Sequence, residues 1–126
     1  MSSLAALLAF LALLQVKHFV CDGLLQTSAM VEAKRFYGAR LGLLHAGLHG
    51  VGSVVVGVLA LGGVVFPLFL GVLDAVIHYH VDFSKENIVK RLGYTPANAP
   101  FWWAISADQM LHHMTYLLFA WMSFRS

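Results

Sequence analysis

The sequence has 126 residues, of which 60% are hydrophobic and only 11% are charged. Soluble domains average about 25% charged and about 45–50% apolar residues, so this composition indicates an integral membrane protein with a single domain, residues 1–126. The net charge of +2 and the lack of a basic patch interleaved with aromatic residues argue against a nucleic-acid partner. Cys21 is the only cysteine, which excludes an internal disulfide.

The first apolar run predicts a membrane-spanning helix over about residues 3–26, long enough to cross a hydrocarbon core about 30 Å thick. No basic segment precedes this run and no small-residue cleavage site follows it before Lys17, so a retained span is favoured over a signal peptide. The second half of the span carries His18, Asp22 and Gln26 at spacings of four residues. On an α-helix these three side chains share one face.

The second predicted span, residues 41–60, follows a polar connection over residues 27–40. His45 and His49 lie one helical turn apart within this span. Small residues recur at every fourth position near its start, which allows a neighbouring helix to approach closely. These are Gly38, Gly42, Ala46 and Gly50. A glycine pair at residues 62–63 then predicts a tight turn.

The third predicted span, residues 64–83, carries Asp74, His78 and Asp82 at spacings of four residues. Asp74 shares the helical face of His78 but lies deeper in the span, so its membership of a shared site stays open. A polar, turn-rich stretch over residues 84–100 separates this span from the next.

The fourth predicted span, residues 101–124, carries Asp108 and His112 one turn apart and has tryptophans near both ends, where they suit the two membrane interfaces. The sequence therefore predicts an all-α polytopic membrane protein, a bundle of four transmembrane helices. Six of the eight Lys and Arg residues fall in the two long connections. The positive-inside rule therefore predicts that both connections are cytoplasmic and that both termini lie on the non-cytoplasmic side.

With this topology, polar pairs from all four spans fall in the same cytoplasmic third of the bundle. Ionisable side chains within a span are costly unless they are paired, ligated or hydrated, and such pairs on facing helices are how helical bundles build metal sites. The sequence therefore predicts a divalent metal centre with one or two ions of Zn, Fe or Mn. The candidate ligands are His18, Asp22, His45, His49, His78, Asp82, Asp108 and His112.

A metal centre at this depth suggests a metal-dependent hydrolase of an amphiphilic, lipid-like substrate, because a bound metal lowers the pKa of water and polarises a phosphoryl or acyl oxygen. Asp22 and Asp82 are the candidate catalytic bases. His80 and His113 lie off the polar faces and are predicted to be structural or interfacial. Three further polar residues are candidates to orient the ligands or to contact a substrate. They are Gln26, Lys85 and Gln109.

Three other interpretations stay open. The polar faces can lock the chain as a non-catalytic helical subunit into a homo-oligomer or a larger membrane complex. The histidines can ligate haem or a chlorophyll-type pigment, for which the glycine-rich second span leaves room. The polar residues can also form a proton or ion path, although residues confined to one third of the membrane do not cross it.

Four segments carry these motifs: VKHFVCDGLLQTSAM, LLHAGLH, IHYHVDFSK and ISADQMLHHMT. Together they resemble an uncharacterised bacterial membrane family, domain of unknown function 3307. Its pattern is similar to His-x3-Asp-x3-Gln, a helix with a His pair, His-x3-Asp-x2-Lys, and Asp-Gln-x2-His. The resemblance implies a bacterial inner-membrane protein and favours Asp82 over Asp74 as the partner of His78, but it implies no activity. A looser likeness to small membrane-bound metal-dependent hydrolases is analogy alone.

Overall fold

The structure is a computed structural model that describes residues 3–125. These residues form five α-helices and contain no strand, which confirms the all-α prediction. One turn of π-helix, Val20–Leu24, continues the first α-helix. The α-helices are α1 (Ser3–Phe19), α2 (Ser28–Ala33), α3 (Arg40–Leu61), α4 (Val65–Arg91) and α5 (Ala99–Phe124).

Four long helices form a ring around a common interior. Helix α3 packs against α1 and α4, and α5 packs against the same two helices from the other side. The connection between α3 and α4 is only three residues long, so these helices form an antiparallel hairpin. Gly62 and Gly63 in this connection have φ angles of +76° and +65°, which glycine adopts without the penalty that a Cβ atom brings.

Helices α3 and α4 approach each other closely at two glycines. A Cβ atom built on Gly50 would lie 2.7 Å from the carbonyl oxygen of Gly71, and one built on Gly71 would lie 2.6 Å from the carbonyl oxygen of Gly50. Only a residue without a side chain fits at either position. The close helix approach that the small residues of the second span predict therefore occurs here, and its partner on α4 is Gly71.

Three helical segments of the described chain are long and apolar enough to cross a membrane: Ser3–Leu24, α3 and α4. This corrects the expectation of four such segments, because α5 does not meet the same criterion. Length is not the reason, since α5 has 26 residues. The polar side chains of Asp108, Gln109, His112 and His113 lower the hydropathy of its middle.

Helix α4 is longer than the predicted third span, since it ends at Arg91 rather than near residue 83. The stretch predicted as a loop over residues 84–100 therefore begins as a helix. Its first half contains Lys, Glu and Arg, which are good helix formers although they are too polar for the membrane interior. Gly93 follows the helix with a φ angle of +66°. A glycine in this conformation commonly ends a helix.

The end of the first span also differs from the prediction. The N–H of Leu25 donates to the carbonyl of Val20 at 2.9 Å, a π-type bond that closes the last turn. Gln26 lies beyond this turn and does not continue the helical face of His18 and Asp22. Its side-chain amide instead donates to the backbone carbonyl of Asp22 at 3.1 Å.

The interior of the ring has an apolar end and a polar end, whereas large apolar side chains are exposed along the outside of all four long helices. The apolar cluster consists of Phe10, Leu14, Val56, Leu70, Tyr116, Phe119 and Ala120. Buried polar side chains are Lys17, His18, Lys34, His45, His49, Ser53, Asp74, His78, Asp82, Asp108, His112 and Thr115. An apolar exterior around polar interior groups is the arrangement expected of a membrane bundle with a functional site.

Candidate metal centre

Four side chains from three helical segments converge on one point. Their ligand atoms belong to Asp22 on the π turn, His45 and His49 on α3, and His78 on α4. Oδ1 of Asp22 lies 2.8 Å from Nε2 of His49 and 3.1 Å from Nε2 of His45. Nε2 of His78 lies 3.2 Å from Nε2 of His45 and 3.8 Å from Oδ1 of Asp22. We call these residues the four-residue group.

The separations within the four-residue group match those of a tetrahedral metal site. Bonds of about 2.0–2.2 Å from a metal to nitrogen and oxygen place neighbouring tetrahedral ligands about 3.3–3.6 Å apart. The four separations given above, 2.8 to 3.8 Å, lie on both sides of that value, and all the ligand atoms lie within 4.8 Å of one another. Three imidazole nitrogens and one carboxylate oxygen form a donor set that suits Zn, Fe or Mn. The group can therefore hold a divalent ion with small side-chain shifts.

His78 also belongs to a second group, together with Asp82 and His112, whose ligand atoms lie within 4.8 Å of one another. Nε2 of His112 lies 3.3 Å from Oδ1 of Asp82 and 3.3 Å from Oδ1 of Asp108. Within the described chain Oδ1 of Asp108 has no hydrogen-bond partner. Nε2 of His78 faces both groups, since it lies 3.2 Å from Oδ2 of Asp82. One imidazole nitrogen donates its lone pair to one ion, so the two groups compete for it.

The imidazole rings at the centre are stacked. The ring centroid of His78 lies 3.5 Å from that of His49 on one side and 3.9 Å from that of His112 on the other. All three side chains are nearly inaccessible to solvent. The neighbouring rings cover both faces of His78, which argues against a flat macrocycle such as haem lying against this ring.

The π turn places Asp22 among the histidines. A π turn inserts one residue into a helical turn, and such turns are frequent at functional sites. Asp22 is the acidic residue of this turn, and Oδ1 faces α3 while Oδ2 lies 3.1 Å from Nε2 of His18. One carboxylate therefore faces both its own helix and α3.

His18 is oriented through both of its ring nitrogens. Nδ1 lies 2.9 Å from the hydroxyl of Tyr116, and Nε2 lies 2.9 Å from Oε1 of Gln109. The ammonium of Lys17 donates to the same hydroxyl at 3.0 Å, which leaves the hydroxyl hydrogen available for Nδ1 of His18. A neutral His18 then carries its proton on Nε2, where it can donate to Gln109 and to Asp22. His18 thus holds Asp22 in place and lies outside the four-residue group.

Lys34, which ends α2, reaches into the centre from the predicted polar connection. Its ammonium lies 2.8 Å from Oδ2 of Asp82 and also donates to Gln26. Only 6% of Lys34 is exposed, because the short helix turns it inward. Sequence reasoning counted Lys34 among the cytoplasmic charges and missed this contact. Lys85, a predicted supporting residue, pairs with its neighbour Glu86 instead of a ligand residue.

A second buried cluster lies between the four-residue group and the apolar end, and sequence reasoning missed most of it. Nζ of Lys17 lies 2.5 Å from Oδ2 of Asp74, and the hydroxyl of Ser53 donates to the same oxygen at 2.6 Å. Tyr116 completes this cluster through its bond to Lys17. Asp74 is therefore paired with Lys17 and lies outside both candidate ligand groups. The signal in the sequence was Lys17 within the first apolar run, because a charged side chain inside a membrane span needs a partner.

The two clusters meet where Nζ of Lys17 lies 3.4 Å from Nδ1 of His49. An ammonium only donates, so this contact is a hydrogen bond only while Nδ1 carries no proton. An ion at Nε2 of His49 would put the imidazole proton on Nδ1, and Lys17 would then release this contact. It is the longest of the three hydrogen bonds of Lys17, and those to Asp74 and Tyr116 would remain.

Carboxylates outnumber ammonium groups in the interior. With the protonation states usual at neutral pH and with neutral imidazoles, four aspartates and two lysines leave a net charge of −2. The six residues are Asp22, Asp74, Asp82, Asp108, Lys17 and Lys34. This excess of carboxylates over ammonium groups favours the binding of a cation.

The structure brings six of the eight predicted ligands into the two groups. The other two, His18 and Asp108, border them, since His18 contacts Asp22 and Asp108 contacts His112. The two histidines predicted to lie elsewhere are exposed. His80 bonds to the hydroxyl of Tyr37 at 3.1 Å and to the backbone of its own helix.

The fold and the buried groups define a helical protein with three membrane-type helices and His/Asp groups that can hold a metal ion. The chain belongs to the family described as "Protein of unknown function (DUF3307)", whose family model matches residues 10–126. The family resemblance inferred from the motifs is thereby confirmed. Comparisons with the curated proteins and with the solved structures find no match.

Proposed function

We propose that this chain is an integral membrane protein that binds one divalent metal ion through the four-residue group, and that it is a metal-dependent hydrolase of a lipid-like substrate. The observation that carries the proposal is the convergence of three buried imidazole nitrogens on Oδ1 of Asp22. Histidines that only join helices can each use a separate partner. Here the donor atoms face one another, and a cation at their centre would satisfy all four together.

One observation supports a single ion rather than two. The second group has no ligand set of its own, because it shares His78 with the four-residue group. We therefore assign Asp82 and His112 to chemistry beside the ion rather than to a second metal site.

We further propose that α5 completes a bundle of four transmembrane helices. The polar residues that lower its hydropathy include two that face the interior, since Asp108 is 5% exposed and His112 is 2% exposed. Its exposed side chains include Met110, Leu117 and Trp121. Apolar groups outside and ionisable groups inside suit a helix packed within a membrane bundle.

The proposed topology places both termini on the non-cytoplasmic side of a bacterial plasma membrane. Basic residues support it, because they cluster in or beside the two connections that link α1 to α3 and α4 to α5. These residues include Arg35, Arg40, Lys90 and Arg91. The metal centre then lies in the cytoplasmic third of the membrane, a depth that the headgroup of a lipid-like substrate can reach.

The chain's own residues divide the chemistry between them. A bound ion that accepts a water molecule in addition to its four protein ligands would lower the pKa of that water and would act as a Lewis acid towards a phosphoryl or acyl oxygen. Asp82 is the proposed general base, because it borders the four-residue group without belonging to it. His112 lies between Asp82 and Asp108 and can pass the proton on to the leaving group. Asp22, the other predicted base, is assigned as a ligand because three imidazoles of the four-residue group face it.

Hydrolysis of a lipid phosphate by the detergent-purified full chain tests the proposal. We expect release of inorganic phosphate that a chelator abolishes and that an added divalent metal restores. His45→Ala should remove this activity, whereas His80→Ala, which changes an exposed histidine, should retain it. Bound metal without turnover of any lipid phosphate or acyl ester would contradict the hydrolase and favour the non-catalytic subunit.

A further inference from the structure

Two cavities lie along the seam between α4 and α5, and Lys85 lines both of them. One has a volume of about 290 Å³ and the other about 180 Å³. The larger one is close to the lower end of the range of about 300–1,000 Å³ that small-molecule sites occupy. The seam therefore offers a site of useful size beside the metal centre.

The larger cavity has a polar side that adjoins the centre. Gln26, Lys34, Lys85 and Glu86 line it, together with apolar residues of α2, α4 and α5. Lys34 joins this cavity to the centre, since its ammonium lies 2.8 Å from Asp82. Lysine ammonium groups and an amide are suitable donors for a phosphate group.

The two lysines retain donors for such a group. An ammonium has three N–H groups. Within the described chain Lys34 donates one hydrogen bond, to Gln26, and forms an ion pair with Asp82 without a hydrogen bond, whereas Lys85 donates one hydrogen bond to Glu86. At least three N–H groups in all are thus available to phosphate oxygens.

The smaller cavity is lined mainly by apolar side chains. Val81 and Ile88 of α4 face Ala104, Ala107 and Leu111 of α5 across it. The two alanines leave the space that larger residues would fill. Asp108 also lines this cavity, and its contact with His112 links the cavity to the second group.

We propose that the α4–α5 seam binds one membrane lipid with a phosphate headgroup, which is the substrate of the centre. That the lipid is the substrate rests on the proposed function, whereas binding of the lipid in the seam does not. The headgroup lies in the larger cavity between Lys34 and Lys85. The acyl chain follows the smaller cavity past Ala104 and Ala107 to the surrounding bilayer. The lipid thus reaches the centre sideways from the membrane, without crossing the cytoplasm.

Binding of defined lipids to the full chain in detergent, measured by native mass spectrometry, tests this site. The probes are phosphatidic acid, phosphatidylcholine and inorganic phosphate. We expect one phosphatidic acid per chain, bound at least about tenfold more tightly than either other probe. Ala107→Phe and Lys85→Gln should each weaken this binding about tenfold. Ser106→Phe, an equally large change at an exposed neighbour outside both cavities, should leave it unchanged.

The outcomes separate the seam from the hydrolase. Equal binding of both phospholipids to all variants would indicate only nonspecific lipid around the bundle and would overturn the proposed site. Inorganic phosphate that binds as tightly as phosphatidic acid would overturn the role of the apolar cavity. Metal content should be the same in all these variants. Selective binding of phosphatidic acid without hydrolysis would support the seam as a lipid site and overturn the proposed function. Hydrolysis by Ala107→Phe at the wild-type rate would support the proposed function and overturn the seam as the substrate site.

Discussion

The two ends of the bundle interior are built from opposite kinds of side chain. At one end Phe10, Leu14 and Phe119 pack with negligible exposure in a cluster whose only polar group is the hydroxyl of Tyr116, at its boundary with the polar end. At the other end, imidazoles, carboxylates and ammonium groups fill an equally buried space. The outside of both ends is apolar, so the surroundings of the bundle do not account for the difference. Burying ionisable side chains at the polar end costs free energy that side-chain packing alone does not offset.

The two ends of the interior therefore have different roles. The apolar end and the contact between Gly50 and Gly71 hold the helices together. The polar end keeps its charges in place through specific partners, such as Asp74 for Lys17 and Asp82 for Lys34. Substitutions in the two candidate ligand groups should therefore affect chemistry and metal binding, those that break a buried ion pair should affect stability, and those at the helix contact should affect folding alone.

The largest effect is expected for chemistry at the polar end. Asp82→Asn removes the proposed base but keeps the shape of the side chain. We expect the hydrolysis rate to fall about 10²–10⁴-fold, the usual contribution of a general base, while the metal content stays unchanged. Phosphate release and elemental analysis of the same preparation check both halves. Loss of the metal together with the activity would instead make Asp82 a ligand.

Breaking the deeper ion pair should have the largest effect on stability. Lys17→Met leaves the carboxylate of Asp74 buried without its cation, which typically costs about 3–5 kcal/mol. The double variant with Asp74→Leu should recover most of this loss, because it removes both charges. Unfolding of the three proteins in mixed micelles measures the difference. A single variant as stable as the wild type would show that the pair is not buried as described.

A smaller effect is expected at the helix contact. Gly50→Ala places a methyl group against the backbone of α4 and should cost about 1–3 kcal/mol, as overpacking does. The control is Gly47→Ala on the same helix, where an added Cβ atom meets nothing within 4 Å. Thermal unfolding should separate the two variants, and both should retain the metal. Equal stability would contradict the close approach of α3 and α4.

The smallest effect is expected at His18. If His18 holds Asp22 through an N–H group, then His18→Leu should weaken metal binding about 10–100-fold, as the loss of such supporting partners does. His18→Gln keeps an N–H donor and should bind within a few-fold of the wild type. Competition with a fluorescent chelator measures both affinities. If Gln were as damaging as Leu, His18 would be a ligand, as its spacing in the sequence predicts.

Spacing along single helices accounts for the part of the site that was predicted from sequence. Pairs four residues apart, such as His45 with His49 or Asp108 with His112, need only a regular helix to share a face. Composition likewise predicted the all-α class. In both cases the information lies within a few neighbouring residues.

The unpredicted parts depend on contacts between segments or on irregular backbone. Lys17 meets Asp74 across 57 positions of sequence, and no pattern near Lys17 specifies that partner. The sequence predicted Lys34 to be one of the cytoplasmic charges of the first connection. In the structure it follows α2 and its ammonium lies 2.8 Å from Asp82. The π turn that ends the first span removed Gln26 from the predicted helical face. In α5 the same polar residues that build the site lower the hydropathy by which a span is recognised.

The most direct test of the account is X-ray absorption spectroscopy of the detergent-purified full chain, combined with its metal-to-protein ratio. We predict about one divalent ion per chain, with about three imidazole nitrogens and about two oxygens, one from Asp22 and one from water, at about 2.0–2.2 Å. His45→Ala should lose the ion and His80→Ala should keep it. A folded wild-type chain that binds no ion, or an ion without imidazole ligands, would contradict the proposal that the four-residue group is a metal site.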